Sequence, residues 1–150
     1  MIQIMKLNGT DKQLYKLVAP LVMDPEVLKM NNNYPFKTTD KFVWFVAVSG
    51  KKVVGFIPIE QRGNVAIINN YYIDKDQEEA FSFLLIDVVS AFAGEKSLAA
   101  VVQTEHQETF EKQGFTVEKV WKRYVKMWRD ELKRKLLLKM CMTWRKSVCV

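Results

Sequence analysis

The stretch Val101–Phe115, which reads VVQTEHQETFEKQGF, decides the fold of this chain. It begins with the apolar end of a strand and continues as a short amphipathic helix. Gly114 stands where the C-terminus of a helix needs a residue in the left-handed conformation, and Phe115 can fold back onto that helix. The stretch therefore predicts a strand, a short helix, a glycine stop and a further strand, in that order.

Length and composition predict one globular domain. The chain has 150 residues, of which 49% are hydrophobic and 27% charged, which is enough for a single domain with its own core. No stretch reaches the roughly 18 uninterrupted apolar residues of a membrane span, and the N-terminus lacks the layout of a signal peptide. Cys141 and Cys149 both lie in the last ten residues, so we expect free thiols in a reducing cytoplasm.

The positive charge of the chain is concentrated at its C-terminal end. Residues 1–120 hold 13 Lys and Arg against 15 Asp and Glu, whereas residues 121–150 hold 10 basic residues against 2 acidic ones. The chain has a single histidine, which argues against a zinc finger or a multi-histidine centre, so we expect no metal site.

The first third of the chain predicts a strand followed by two helices. Residues 2–7 alternate as a strand does, and Thr10–Gln13 has the spacing of a capping box. We expect Pro20 to end or kink the first helix. Asp24 can cap a second short helix with Pro25 at its first position, and an irregular loop follows at Asn31–Pro35.

Three antiparallel strands, joined by two tight turns, form the middle of the predicted domain. We expect Pro58, which lies late in the second of them, to mark a bulge or an unpaired position. A long helix must then cross over to a parallel strand. The predicted elements are strands at Phe42–Val48, Val53–Ile59 and Val65–Ile73, a helix at Asp76–Ala93, a strand at Ser97–Gln103, a helix at 105–112 and strands at Phe115–Val120 and Arg123–Trp128.

This order of elements, with the run EKQGF at 111–115 between the last helix and the last strand pair, resembles the GNAT acyltransferase superfamily over residues 1–131. The resemblance implies an α/β (α+β) fold with a mixed, mostly antiparallel central sheet and helices on both faces, in the order β-α-α-β-β-β-α-β-α-β-β. Residues 132–150 would then form a separate basic tail.

The resemblance also implies a site for acetyl-CoA. Members of the superfamily hold the pyrophosphate on a glycine-rich loop, where backbone amides and the positive end of a helix meet the phosphates. The matching stretch is Gln77–Ser82, in which Ala80 and Ser82 stand at the two small positions and both glycines are missing. The pantetheine arm would pair with the strand before it. The residues expected to contact acetyl-CoA are Tyr72, Ile73, Gln77, Glu78, Ala80 and Ser82.

Acidic residues crowd this expected phosphate site. Asp74, Asp76, Glu78 and Glu79 surround it, with only Lys75 opposing them nearby in sequence. The pair Asp76 and Glu79 also has capping-box spacing, so side chains could already satisfy the amides that a phosphate would use. An ordinary self-capped helix start therefore remains as an alternative to an acyl-CoA site.

Acyl transfer to an amine needs a base for the ammonium and, often, an acid for the leaving thiolate. Where many superfamily members carry a tyrosine for the second task, this chain has Phe110, which predicts a core aromatic. The substitutes we single out are Tyr71, on the strand beside the expected thioester, and Glu60, at the end of the preceding strand. Tyr72 should lie on the opposite face from Tyr71. His106 is expected to be an exposed or capping imidazole.

The segment from Leu132 to Met142 favours a helix, with Leu132, Leu136 and Met140 at i, i+4 spacing and basic residues around them. Residues 132–146 could bind nucleic acid, an anionic membrane surface or an acidic partner. The alternative is a helix that packs its leucines on its own domain or on a second subunit of a homodimer.

Two functions follow from these observations. The first is a cytoplasmic N-acetyltransferase that uses acetyl-CoA and a small-molecule or protein amine, by direct attack of the amine on the thioester. The substrate would enter between the loop at Asn31–Thr39 and the last strand pair. The second is a non-catalytic protein of the same fold that binds a protein or nucleic-acid partner, which the missing glycines and Phe110 favour.

Overall fold

The computed structural model describes residues 2–130. The tail predicted at 132–150 lies outside these residues. The described elements are β1 (Ile2–Asn8), α1 (Lys12–Val22), α2 (Pro25–Met30), β2 (Phe42–Ser49), β3 (Lys52–Arg62), β4 (Val65–Ile68), β5 (Tyr72–Ile73), a 3-10 turn (Lys75–Gln77), α3 (Glu78–Phe92), β6 (Ser97–Gln103), a 3-10 turn (Thr104–His106), α4 (Gln107–Glu111), β7 (Thr116–Val120) and β8 (Tyr124–Arg129).

The strands form one sheet in the order β1-β2-β3-β4-β6-β8-β7, with the short β5 paired to β3. Only the pair β4 and β6 is parallel, since α3 carries the chain from one to the other. The other described pairs are antiparallel. The predicted mixed, mostly antiparallel sheet is therefore confirmed.

Two cores lie on opposite faces of the sheet. On one face α3 packs Leu84, Leu85 and Val88, all fully buried, against β2, β3, β4 and β6. On the other face α1 packs Leu14 and Val18 against β2 and β3. Burial of apolar surface on both faces, at about 25 cal/mol per Å², is what holds helices to a sheet in such a layered domain.

Several local signals in the sequence form the structures that they predict. The Asp24 carboxylate accepts from the backbone amide of Glu26, and Pro25 occupies the first position of α2. Gly114 has φ 91°, and the amide of Phe115 donates to the carbonyl of Phe110 at 3.2 Å. This hydrogen bond closes α4 with the 6→1 geometry of a Schellman motif.

Three local predictions are wrong. The side chain that caps α1 is Asp11, which accepts from the amide of Gln13 at 2.8 Å, and not Thr10. The helix does not end at Pro20, as one form of that prediction had it. Pro20 lies inside α1, which continues to Val22, because its missing amide falls on the exposed last turn, where water can satisfy the freed carbonyl. The strand predicted at Val65–Ile73 is interrupted after Ile68.

No helix in the described part of the chain is both long enough and apolar enough to cross a membrane.

Candidate functional site

The interruption between β4 and β5 opens a gap in the sheet. β4 pairs with β6 as far as Ile68 and Ala100. After three irregular residues the chain resumes as β5, which pairs with Gly55 and Phe56 of β3 instead of with β6. The end of β6 therefore has no strand partner on this side among residues 2–130. We call the space between β5 and the end of β6 the strand gap.

Two features hold the interruption in place. Pro58 lies within the three-residue stretch of β3 that pairs with β2 but has no registered partner in β4 or β5. The prediction that Pro58 marks an unpaired position is thus confirmed. Asn31, at the end of α2, is buried and donates to the side-chain oxygen of Asn70 at 3.1 Å and to the carbonyl of Tyr34 at 3.0 Å. Helix α2 is thereby fastened to the interruption.

Tyr71 closes one side of the strand gap with its hydroxyl. The residue is 4% exposed, and its oxygen accepts from the backbone amide of Gln103, at the end of β6, at 3.0 Å. The same oxygen lies 2.8 Å from Nδ1 of His106. Burial raises the pKa of Tyr71 above its ordinary value and lowers the pKa of His106. The hydrogen bond therefore joins a neutral phenol to a neutral imidazole.

This placement corrects the expectation for His106. The residue is 8% exposed and stacks within 4.8 Å of the Phe81 ring, so it is neither an exposed nor a capping imidazole. The error arose because a histidine in the first turn of a short helix is normally solvated, whereas here α3 covers that turn. Tyr72 lies on the opposite face and stacks on Phe56, as strand alternation predicts.

Phe110 lies in the same aromatic cluster as Tyr71. It is fully buried, and its ring centroid lies 6.2 Å from that of Tyr71, 5.6 Å from Phe81 and 5.1 Å from Phe115. The prediction that Phe110 is a core aromatic is confirmed. Of these three neighbouring rings, that of Tyr71 carries a hydroxyl, and it comes from the interruption between β4 and β5.

Three adjoining cavities of about 250, 530 and 370 Å³ extend from the strand gap, and Met30 of α2 lines all three. We call them together the cleft. The first lies at the gap itself, between Tyr72 and His106. The second lies between α2 and the segment that leads into α3, beside Asp74 and Lys75. The third lies between α2, the end of β6 and the turn that joins β7 to β8.

The acidic start of α3 differs from its prediction. The chain makes a 3-10 turn before α3, and the Asp74 carboxylate accepts from the amide of Asp76 at 3.0 Å. The predicted capping box of Asp76 and Glu79 is wrong, since no side chain caps α3 itself. Its first-turn amides are thus left without a capping side chain.

Asp74 is also neutralised by a distant part of the chain. Lys52, at the start of β3, lies 3.1 Å from its carboxylate. The hydrogen bond from the Asp76 amide, together with Lys52, lowers the pKa of Asp74. The local excess of acid is therefore smaller than the sequence suggests, because a hairpin brings in a cation from outside the stretch.

The residues expected to contact acetyl-CoA fall into two groups. Tyr72, Ile73 and Glu78 line the cavity at the strand gap. Gln77 precedes α3, with its side chain half-buried, and Ala80 is fully buried in the core. Ser82 is the fifth residue of α3, so its amide comes after the four that a helix leaves unpaired.

Glu60 lies apart from the strand gap. It forms an ion pair with Arg62 and lines a separate cavity of about 210 Å³ with Asn69 and Asn70. Of the two catalytic candidates, the cleft contains only Tyr71.

The cleft also contains charged residues that sequence reasoning missed. Lys29 lies at the end of α2, Glu105 follows β6, and Lys122 and Arg123 form the turn before β8. No pattern in the sequence joins them, because more than ninety residues separate the first from the last. Only the sheet order brings them together. Among residues 2–130, no group of three His, Cys, Asp or Glu side chains is placed to hold a metal ion.

A cavity of about 790 Å³, larger than each of the three in the cleft, lies elsewhere. It covers the sheet face that α1 and α2 leave open, and its walls are mainly apolar, including Val65, Val101 and Trp128. Its one pair of opposite charges, Lys126 and Glu118, already lies 3.8 Å apart. The strand gap, and not this groove, combines perturbed pKa values with converging polar groups.

Comparison with known proteins identifies the fold. The sequence matches no protein-family profile and no curated protein. The structure is similar to that of an acyl-CoA N-acyltransferase from Pseudomonas aeruginosa, with a TM-score of 0.63 and 13% identity over 87% of this chain and 100% of that one.

Two further solved structures bear acetyl-CoA. A GNAT family acetyltransferase from Elizabethkingia anophelis has a TM-score of 0.57 at 13% identity, over 86% of this chain and 97% of that one. The N-acetyltransferase PseH of Campylobacter jejuni has a TM-score of 0.57 at 12% identity, over 87% of this chain and 99% of that one. The chain therefore shares the fold of these enzymes.

Proposed function

We propose that this chain, which has the GNAT fold, is an acyl-CoA-dependent N-acetyltransferase that acts in the cytoplasm on a small-molecule or protein amine. The observation that carries the proposal is the strand gap. It leaves one edge of β5 without a strand partner in the described region, and it opens at the start of α3, where first-turn amides have no capping side chain. An extended acyl-CoA arm and a diphosphate need those two features side by side.

In this proposal acetyl-CoA lies along the cleft. The backbone of Tyr72 and Ile73 pairs with the pantetheine arm, and the amides at 78–80 receive the pyrophosphate. The Gln77 amide already donates to the carbonyl of Asp74 at 2.9 Å, so Gln77 would approach the phosphates with its side chain. Ala80 contributes only its backbone, since its side chain is buried. Ser82 and the side chain of Glu78 would lie beside the phosphates. Neither would contribute one of the unpaired first-turn backbone amides.

The proposed reaction is direct attack of the amine nitrogen on the thioester carbonyl. The ammonium first loses a proton to a carboxylate or to water. The N–C bond then forms, the C–S bond breaks, and the nitrogen loses its second proton to solvent to give the neutral amide. The thiolate leaves as coenzyme A and takes a proton from solvent or from a nearby donor.

Tyr71 and Glu60 hold different positions in this scheme. The raised pKa of Tyr71 makes its phenol a poor proton source for a thiolate, whose ordinary pKa is about 8.5. Tyr71 would instead hold the wall of the strand gap through its hydrogen bonds to Gln103 and His106. Glu60 could act as the base only for an amine that enters through the separate cavity lined by Asn69 and Asn70.

A specific observation favours the second candidate function, a non-catalytic binding protein of this fold. The Tyr71 hydroxyl already occupies the Gln103 amide at the strand gap, and position 110 has no hydroxyl. Such a protein would engage a protein or nucleic-acid partner through the cleft or through residues 132–146. In a homodimer, residues 132–146 would carry the contact between the two copies.

Titration of the full chain with acetyl-CoA separates the two functions. Binding tighter than about 100 µM raises the thermal midpoint in millimolar ligand by mass action, because the ligand stabilises the folded state. Transfer is then measured as thiol release with a panel of amines. If millimolar acetyl-CoA gives neither calorimetric heat nor a thermal shift, the acetyltransferase proposal is contradicted and the binding-protein proposal is supported.

A pair of charge variants tests where the diphosphate lies. Glu78→Lys removes a carboxylate beside the α3 start, and we expect acetyl-CoA to bind tighter by roughly fivefold, about 1 kcal/mol. Asp87→Lys makes the same charge change farther along the same helix, where the residue is exposed and lines none of the three cavities. Equal effects of the two changes would mean that the phosphates lie elsewhere.

A further inference from the structure

The third cavity of the cleft lies where an acceptor amine would enter. It is bounded by Asn32 of the loop after α2 on one side and by Lys122, Arg123 and Tyr124 on the other. Its volume of about 370 Å³ lies within the range of small-molecule sites. It shares Gln103 with the cavity at the strand gap, so the two spaces meet at the residue that Tyr71 binds.

Three cations line this cavity, against one carboxylate. Lys29, Lys122 and Arg123 come from two separate elements, and none of them makes an ion pair among residues 2–130. We call them the cationic rim. Like charges held close together repel each other, and an anion placed between them removes that repulsion.

The backbone that carries the rim is held firmly. The amide of Thr104 donates to the carbonyl of Arg123 at 3.1 Å, and the amide of Trp121 donates to the carbonyl of Tyr124 at 2.8 Å. The turn between β7 and β8 is therefore tied to the end of β6. Its two cations are presented by a fixed backbone, which lowers the ordering cost when a ligand binds.

One carboxylate lies at the junction of the two cavities. Glu105 is exposed and lines both the cavity at the strand gap and the one with the cationic rim. In the described part of the chain it is the one acidic residue that lines the latter. A positive group placed at the junction would face Glu105, while a negative group would face the rim.

We propose that the acceptor is a small amine that also carries an anionic group, a carboxylate or a phosphate. The ammonium lies at Glu105, next to the strand gap, and the anion lies against Arg123, Lys122 and Lys29. Arginine suits this role because its planar guanidinium can donate two parallel hydrogen bonds to a carboxylate or phosphate. This inference rests on the proposed acetyltransferase and specifies its acceptor.

The other end of the cleft has the opposite charge, which orients the ligand. Glu26, Asp74 and Glu78 line the two cavities near α3, against Lys75 and against Lys29, which lies between this end and the rest of the rim. A zwitterionic amine is therefore favoured in one direction only, with its ammonium toward the strand gap. An amine that carries no anionic group has nothing to bind the cationic rim. An anion that carries no amine has nothing to bind Glu105.

The test uses three probes of similar length on the full chain: β-alanine, O-phosphoethanolamine and propylamine. Binding is followed by backbone amide NMR shifts, and transfer is followed by thiol release in the presence of acetyl-CoA. We expect one of the two anionic amines to bind at least about tenfold tighter than propylamine, with shifts at 103–106 and 122–124. The two anionic probes distinguish a carboxylate from a phosphate ligand.

Variants locate the anion. Arg123→Glu should abolish the preference for the anionic amine, and Arg123→Lys should retain part of it, because the charge remains. Lys51→Glu is the matched control, since Lys51 is exposed on the turn between β2 and β3 and lines none of the three cavities. Thermal unfolding of each variant checks that it is folded.

The outcomes separate this inference from the proposed function. If acetyl-CoA binds but propylamine binds as well as the anionic amines, the acceptor assignment is wrong and the enzyme stands. If an anionic amine binds in an Arg123-dependent way but acetyl-CoA does not bind, the proposed amine site is supported and the proposed acetyltransferase activity is contradicted. Binding of acidic N-terminal peptides in preference to all three small probes overturns the small-molecule class.

Discussion

The inner wall of the cleft and its cationic rim are built in opposite ways. The inner wall consists of Tyr71, Gln103, His106 and Phe110. The buried side chains of Tyr71 and His106 are hydrogen-bonded to each other, and the Tyr71 hydroxyl also accepts from the backbone amide of Gln103. The cationic rim, at Lys29, Lys122 and Arg123, is exposed and has no ion pairs within residues 2–130.

The difference shows which part of the cleft is needed for folding. Removing a buried group leaves a cavity or an unpaired polar atom, and both cost stability. Removing an exposed, unpaired charge costs almost nothing in stability. Substitutions in the inner wall should therefore lower the free energy of unfolding, whereas those in the rim should alter ligand binding alone.

The largest expected effect is at Phe110. Phe110→Ala empties a fully buried position in the aromatic cluster, and we expect a loss of about 3–5 kcal/mol in the free energy of unfolding. Denaturant unfolding measures it. Phe83→Ala is the matched control, because Phe83 is 52% exposed on α3. A loss at Phe110 no larger than at Phe83 would show that the inner wall is loosely packed.

A smaller loss is expected at Tyr71. Tyr71→Phe keeps the ring but leaves the Gln103 amide and His106 Nδ1 without their partner, at a cost of about 1–3 kcal/mol. Tyr15→Phe removes a hydroxyl from a residue that is 44% exposed and should be nearly neutral. Denaturant unfolding measures both changes. An unchanged midpoint for Tyr71→Phe would mean that water replaces the hydroxyl.

The next effect depends on pH through His106. Burial lowers the pKa of His106, so below its unfolded value of about 6.5 the unfolded chain binds more protons than the folded one. The stability is therefore fully present above about pH 6.5 and falls as the pH drops below it. In His106→Gln this part of the pH dependence should disappear. Parallel curves for the two proteins between about pH 8 and pH 5 would contradict a buried neutral imidazole.

The smallest effect on stability is expected at the rim. Arg123→Glu should change the free energy of unfolding by less than about 0.5 kcal/mol, since its side chain is exposed and unpaired in the described region. The change should appear in the binding of anionic amines instead. A loss comparable to that at Tyr71 would place Arg123 among the residues that the fold requires, and the comparison between wall and rim would fail.

Part of the site was predictable from local sequence. Strand alternation placed Tyr71 and Tyr72 on opposite faces, and Phe110 was expected in the core because it stands one turn before Gly114. The burial of His106 was not predictable, because it depends on α3, which precedes it by more than a dozen residues. The same holds for Lys52, which a hairpin brings to Asp74.

The amino-acid sequence alone determined the order of the elements, the caps of α2 and α4, and the assignment of Pro58 to an unpaired position. These features depend on residues within a few positions of one another, where backbone preferences and short-range hydrogen bonds dominate. The tertiary structure decided what Tyr71 binds, how Asp74 is neutralised and where three cations meet. Contacts between distant elements depend on how the sheet places them, and side-chain pairing across that distance leaves no local pattern to read.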